Sequence, residues 1–435
     1  MTALHRNDRA GEYPPSWYAA SSDLPAARPA LQGEVEVDVA ILGAGFTGLW
    51  AAKTLAEKGY KVAVLEAHRV GWGASGRNGG QVGTGYNRGQ RELESRMGRD
   101  NARMAWDLAE EAKAQLRDFI AREAPEARYR PGVAHGEYSP SEAADSRADA
   151  AYLAKNYGYD QIEILDRAQI QDLVKSPKYV GGLLDRGAGH IHPLRYALGL
   201  ARAAERAGAV IYETSEVTQI IQDPATPTFV TAQGRAKARY LILAGNGYLP
   251  ILENKVSAHV MPINSFIGAT EPLPDRWQEV LAQDIAVADS KFVVNYFRFS
   301  EDKRFLFGGR ESYSIGFPKD IKGPLQARMV ALFPQLKDVK IEHVWGGSLG
   351  ITMTRLPYLT RVTPNILSGA GYSGHGVALA GIAGKVMAEV VAGDTGRFDA
   401  LTKLPVPGFP GGSAFRAPLL TLAMTWYGMR DRIGF

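Results

Sequence analysis

No cysteine occurs anywhere in the 435 residues. Disulfides, thiolate metal ligands, cysteine nucleophiles and a cofactor tethered through cysteine are therefore excluded. Long apolar runs are missing as well. No stretch reaches the roughly 18 apolar residues that a membrane-spanning helix needs, and Met1 to Ala10 lacks the apolar centre of a signal peptide. The expected location is the cytoplasm. Neither sign of charge dominates: 50 basic residues face 46 acidic ones, for a net charge of +4. There is no basic stripe or recognition motif, so nucleic acid is not an expected partner. With 45% hydrophobic and 22% charged residues, the composition is that of an ordinary globular protein. The length allows two domains or one large discontinuous one. Solenoid repeats, low-complexity tracts and metal-ligand clusters are absent from the pattern.

Glycine is what the chain has in the right places. Val37 to Leu42 is a short, β-branched apolar run, the signature of a buried parallel strand. Gly43, Gly45 and Gly48 follow with G-x-G-x-x-G spacing, and a helix is expected from Phe46 to Lys58, ended by Gly59. A second strand, Lys61 to Glu66, ends in an acid about twenty residues beyond the glycines. Strand, tight turn, helix and acid together predict dinucleotide binding. The turn lets a pyrophosphate approach the backbone, the helix N-terminus offers free N–H groups, and Glu66 can accept from a ribose diol.

Two further glycine-rich segments stand out. Val70 to Gly85 carries seven glycines together with Trp72, Arg77, Asn78 and Gln81, costly choices for a surface linker and suited to a backbone passing a flat ligand. Asn365 to Lys385 reads as a strand, a glycine turn and a small-residue helix, and Gly245-Asn-Gly247 is a third turn at the carboxyl end of a strand. Between these segments, a helical block over Arg91 to Ala121 and alternating strands from Met261 to Phe307 suggest a second, β-rich domain. Residues 1–36 read as an irregular arm lying over the body. An amphipathic helix is expected from Pro418 to Arg430; it could pack on the body, join a partner or touch a membrane surface.

With these motifs in view, the chain resembles the D-amino-acid-oxidase-like flavoproteins, the glycine and sarcosine oxidase group, over nearly its whole length. Gly71 to Gln81, Gly371 to Gly376 and the closing Phe415 to Leu420 look most similar to the γ-glutamylputrescine oxidases within that group. The resemblance implies an α/β fold. A Rossmann-like FAD-binding domain would be built from segments 37–90, 186–255 and 342–400. An inserted α+β substrate domain, dominated by an antiparallel sheet, would comprise 91–185 and 256–341, with 401–435 as a tail. It also implies an FAD site formed by Gly43, Ala44, Gly45, Phe46, Thr47, Gly48, Glu66 and Ala67. To these it adds Ala74, Ser75, Arg77, Asn78, Gly79, Gly80, Gln81, Val217, Gly245 and the run Gly371, Tyr372, Ser373, Gly374, His375, Gly376 and Val377. The flavin-facing segment Trp72 to Gln81 holds neither cysteine nor histidine, so dissociable, non-covalent FAD is expected.

The chemistry implied by the resemblance is hydride transfer from a substrate amine carbon to flavin N5, reoxidation by O2 to give hydrogen peroxide, and hydrolysis of the imine to an aldehyde and ammonia. The expected substrate is γ-glutamylputrescine or a similar small-molecule amine. A small amino acid such as glycine, sarcosine or a D-amino acid, or a partner protein's side chain, are alternatives, and a homo-oligomer is a further partner. Four residues are candidates for the catalytic site. His375 would either place charge near the flavin or bond structurally beside it. Arg77, with Asn78, would contact flavin or pocket, or else brace its own loop. Tyr296 and Arg298 alternate on one strand face, where Arg298 suits either a substrate carboxylate or an interdomain salt bridge. Trp345, Met353 and Arg355 could wall the pocket, with core packing expected for Met353.

Overall fold

Val39, Ala40 and Ile41 are fully buried, and the run they belong to becomes the central strand of the first sheet. The computed structural model describes residues 3–410 except Phe292 and residues 313–315. Strand Gly33–Leu42 pairs in parallel with Val62–Leu65 on one side and Gly234–Leu243 on the other. The sheet continues to Val210–Tyr212 at one edge and through Ile366–Ala370 to Tyr358–Thr363 at the other. Helices Phe46–Glu57, Pro193–Arg206 and Gly376–Val391 cover one face, as buried parallel strands require.

The second sheet has nine strands in the order Ile341–Ile351, Met261–Pro272, Arg304–Ser312, Tyr296–Phe299, Ala286–Asp289, Arg130–Glu137, Gly181–His190 and Gln81–Val82, with Ile162–Leu165 paired beside Gly181–His190. All its named pairings but one are antiparallel; Ala286–Asp289 and Arg130–Glu137 run parallel. One face is sealed by an aromatic cluster of Phe297, Phe299, Phe305, Phe307 and Phe333 beneath helix Lys322–Leu332. The expected α/β fold with an antiparallel-dominated second domain is the observed one.

Several expectations are corrected. Gln81–Val82, residues 186–190 and nearly all of Ile341–Ile351 belong to the second sheet, although 37–90, 186–255 and 342–400 were assigned to the first domain. Strand Gly181–His190 carries the chain from one sheet straight to helix Pro193–Arg206, so no compositional break marks the crossing. The strand expected at Ser215 to Ile221 shrinks to Gln219–Ile221, because the Thr214 and Ser215 N–H groups donate to His68 O and Glu66 O instead. The helix expected over Arg91 to Ala121 is two helices, Gln90–Met97 and Arg99–Glu123, divided at Gly98 with φ +80°. Met353, expected in the core, is exposed at 45%. The Pro418 to Arg430 helix and the 415–420 motif lie outside the described residues.

The arm is more than a surface wrap. It contains a short helix, Trp17–Ala20, capped by Ser16 Oγ accepting from Ala19 N–H. Trp17 and Tyr18 are buried, Tyr18 completely, and the Tyr18 ring meets Trp345 edge-on at 5.2 Å. Its hydroxyl accepts a hydrogen bond from Arg298 Nη2 at 3.1 Å. Removing so large a buried ring costs about 3–5 kcal/mol. Tyr18→Ala is expected to lower the thermal unfolding midpoint by several degrees in calorimetry, whereas replacing exposed Leu24 in the same arm leaves it within about a degree.

Candidate functional site

The first glycine turn sits where the first three parallel strands end. Gly43 has φ +98°, and a Cβ on Gly48 would lie 1.9 Å from Gly43 O. Only glycine lets helix Phe46–Glu57 start so close to its own strand. Ala44 N–H donates to Glu66 Oε2 at 2.8 Å and His68 N–H to Glu66 Oε1 at 3.0 Å. Burial, with Glu213 nearby, pushes the Glu66 carboxyl above its ordinary range, although these backbone bonds oppose it. Ala67 lies half-buried between Glu66 and His68.

The second segment is drawn against this turn. Phe46 N–H, at the helix start, donates to Ser75 Oγ at 3.0 Å, and Ala74–Gly76 forms a single tight turn of helix. Asn78 braces its own loop: Nδ2 donates to Ala74 O and Ser75 O, while Oδ1 accepts from Gly80 N–H. Arg77 is buried and tied to three parts of the chain. Its Nε donates to Trp72 O at 2.6 Å, its Nη1 to Asp8 Oδ2 at 2.8 Å and to Gly346 O at 3.0 Å, and its guanidinium lies 4.3 Å above the Trp72 ring. Trp345 Nε1 donates back to Arg77 O. Trp72 itself stacks on His68 at 3.8 Å. Burial holds the His68 imidazole down at about 4, so it is neutral and links the arm through Leu4 O and Gly11 N–H.

The third segment closes on both. Tyr372 OH and Thr47 Oγ1 are 2.7 Å apart and buried, joining the turn before helix Gly376–Val391 to the start of helix Phe46–Glu57. Asn246, just after Gly245, accepts from Gly371 N–H, and Asn87 Nδ2 donates to Ser373 O. Ser373 and Gly374 both have positive φ. His375 precedes helix Gly376–Val391, and its ring lies about 3.5 Å from where a Gly83 Cβ would be. Burial lowers its pKa below the ordinary imidazole range. Val377 is buried.

Thus all three glycine-rich segments meet at the carboxyl ends of the first sheet's strands. Val217 lies in a loop two residues beyond Ser215, whose N–H donates to Glu66 O, and its side chain belongs to the core cluster that includes Leu31 and Phe229. Arg298 and Tyr296 do share a face, and both press on the second segment: Arg298 Nε donates to Gly79 O at 2.8 Å, and the Tyr296 ring lies 2.8 Å from where a Gly79 Cβ would be. Arg298 forms no ion pair among the described residues. Its other donors go to Ile191 O, Phe299 O and Tyr18 OH, so the interdomain salt bridge is not formed among the described residues. Tyr296 OH lies 3.0 Å from Ser265 Oγ. Gln81 Nε2 reaches Val287 O on the second sheet. Asn87 and Asn246 were not legible as site residues, because they act from turns remote in sequence.

The donors suit FAD. Trp72 Nε1, Arg77 Nη2 and His375 Nδ1 are buried without a hydrogen-bond partner among the described residues, and each sits in or beside a glycine segment. An unmet buried polar group costs about 1–3 kcal/mol, a deficit that phosphate and flavin edges can make good. Gly48→Ala is expected to give a protein purified without flavin absorbance, since its Cβ has no room against Gly43 O; full flavin content in that variant would contradict the assignment of this turn.

Comparison with known proteins agrees with this geometry. The chain is 42% identical over 417 residues to a probable oxidoreductase OrdL of Rhizobium meliloti, covering 96% of this chain and 97% of the relative. It is 38% identical over 426 residues to a gamma-glutamylputrescine oxidoreductase of Escherichia coli, covering 97% and 99%. Among solved structures, glycine oxidase from Geobacillus kaustophilus shares the fold with a TM-score of 0.69 at 23% identity, over 82% of this chain and 95% of that one. Residues 38–390 match the family model DAO, FAD dependent oxidoreductase, and on this match the chain belongs to that family.

Proposed function

We propose that this FAD-dependent oxidoreductase oxidises the primary amine of γ-glutamylputrescine or a close analogue, giving an aldehyde and ammonia, with O2 as acceptor. The observation that carries this reading is similarity running end to end, 38% over 97% of the chain, to a gamma-glutamylputrescine oxidoreductase. It is supported by the site, where the second glycine segment lies between the FAD-binding turn and the Tyr296 face of the second sheet.

Bound FAD supplies a two-electron acceptor; the amine carbon loses hydride, the resulting imine takes up water, and reduction of O2 yields hydrogen peroxide. The chain contributes position and electrostatics. The turn Gly43 to Thr47 and the Ser75 hydroxyl would face the phosphates at the start of helix Phe46–Glu57. Glu66 receives the ribose. Trp72, Arg77 and His375 supply the buried polar edges, and Tyr296 bounds the space over the ring. Arg77 and Arg298 act as pins, fixing carbonyls of the loop and its neighbours, so that the loop keeps one shape in the presence of substrate. His375 is buried before helix Gly376–Val391. Both ring nitrogens of His68 are engaged by the arm, in keeping with dissociable FAD.

Anaerobic addition of γ-glutamylputrescine is expected to bleach the flavin absorbance, with peroxide formed when air returns. Bleaching by glycine, sarcosine or a D-amino acid instead would move the substrate to a small amino acid, and bleaching without peroxide would move the acceptor from O2 to a carrier. Acid precipitation is expected to leave all flavin in the supernatant; flavin retained by the washed pellet would contradict non-covalent binding.

A further inference from the structure

Between Leu4 and Tyr13 the arm is bonded repeatedly to the stretch that runs from Glu66 to Arg77. Gly11 N–H donates to His68 Nδ1 at 3.1 Å, and His68 Nε2 lies 2.9 Å from Leu4 O. Because Nδ1 accepts, the proton of this neutral ring sits on Nε2 and is given to Leu4 O. Tyr13 OH donates to Val70 O at 2.8 Å, and Asp8 Oδ2 accepts from Arg77 Nη1 at 2.8 Å. Two flanking bonds hold the same part of the arm: His5 Nε2 lies 2.7 Å from Glu216 Oε2, and Asn7 Oδ1 accepts from Phe317 N–H at 2.8 Å.

The two side chains that the arm grips are both neighbours of one indole. Trp72 stacks on His68 with ring centroids 3.8 Å apart and planes 4° from parallel, and the Arg77 guanidinium lies 4.3 Å from the Trp72 ring. Arg77 is a fork with one prong left over. Its Nε donates to Trp72 O and its Nη1 to Asp8 and Gly346 O, whereas Nη2 is buried without a hydrogen-bond partner among the described residues. Trp72 Nε1 is in the same condition, and both residues are 3% exposed. A planar guanidinium fixed at two nitrogens aims the third in one direction. Asp8 is the only carboxylate paired with it among the described residues, and the pair is nearly closed to solvent.

We propose that Asp8 and the arm from Leu4 to Tyr13 belong to the FAD site as positioning residues, holding Arg77 and Trp72 so that Nη2 and Nε1 meet acceptor atoms of the cofactor. The inference rests on the assignment of Trp72 and Arg77 to that site. It adds a segment that lies ahead of residues 38–390, the part matched to the family. The coupling runs both ways: whatever the closed arm adds to FAD affinity, bound FAD adds to the closure of the arm.

Hydrogen exchange on the wild-type protein with and without FAD tests this directly. Bound FAD is expected to slow exchange of the amides between Leu4 and Tyr13, Gly11 among them, while those of helix Trp17–Ala20 in the same arm change little. Equal exchange with and without FAD overturns the proposal, because an arm that only supports the fold gains nothing from the cofactor. Protection spread evenly over both stretches marks general stabilisation and overturns it too. In FAD titrations of full-length apoprotein, Asp8→Ala is expected to weaken binding about 10- to 100-fold. Asp8→Asn, which keeps an oxygen acceptor for Nη1, should fall between. Wild-type affinity in Asp8→Ala overturns the proposal, as does tighter binding, which would mean that the arm takes the cofactor's place. Should Asp8→Ala not fold, the exchange measurement decides. Arg77→Gln binding FAD as tightly as wild type would remove the assignment on which the inference rests, and the inference with it.

Discussion

The contact on which the site depends is the approach of the start of helix Phe46–Glu57 to the body of helix Gly376–Val391. Helix Phe46–Glu57 and helix Gly376–Val391 lie together without side chains between them at the crossing. A Cβ on Gly384 would sit 2.1 Å from Thr47 O, just as one on Gly48 would sit 1.9 Å from Gly43 O. No side chain fits at either point, and no relaxation short of moving the helices would make room. The Thr47–Tyr372 hydrogen bond then locks the pair at their amino ends. Two sets of free N–H groups and two positive dipole ends are thereby brought into one region, which is what a ligand with phosphates at one end and an electron-rich ring at the other requires.

Buried arginine is the second organising device. Arg77 and Arg298 are both nearly inaccessible, and of their seven hydrogen bonds, five run to backbone carbonyls and only one to a carboxylate. A planar guanidinium can serve several carbonyls at fixed angles. Here it ties the glycine-rich loop to Ile341–Ile351, to Tyr296–Phe299 and to the arm. Seven glycines between 70 and 85 leave that loop little shape of its own, so its geometry is imposed from outside. The arm takes part through Asp8 and Tyr18, which makes this described part of the arm integral to the fold.

The second sheet divides its two faces by chemistry. One is a packed layer of phenylalanines; the other carries Tyr296, Arg298, His135 and Glu137 with alanine between them. Strand alternation alone produces this split. The polar face looks onto the loop that carries Gly79 and Gln81, so the sheet is at once a core wall and a support for that loop.

Much of the first domain could be read directly. Val37 to Leu42, the three glycines and Glu66 form a local unit, because a strand, a turn and a helix start are set by residues within thirty positions of one another. Gly371 to Val377 was legible for the same reason. The roles of Arg77 and Arg298 were not. Arg77 was read as a flavin or pocket contact or a brace of its own loop, and Arg298 as the partner of a substrate carboxylate or of an interdomain salt bridge. Yet their hydrogen-bond partners lie as far off as Gly346 and Tyr18, and nothing near either arginine in the chain names a partner that distant. The strand at 215 failed because Glu66 and His68 took its backbone N–H groups. Gly181 to Arg195 was legible as the return toward the first domain, and strand Gly181–His190 does lead directly into helix Pro193–Arg206. The sequence by itself determined the cofactor, since phosphate binding is a property of local backbone. Tertiary structure alone decided which side chains gather around the glycine segments, because strand pairing joins residues that the chain keeps more than a hundred positions apart.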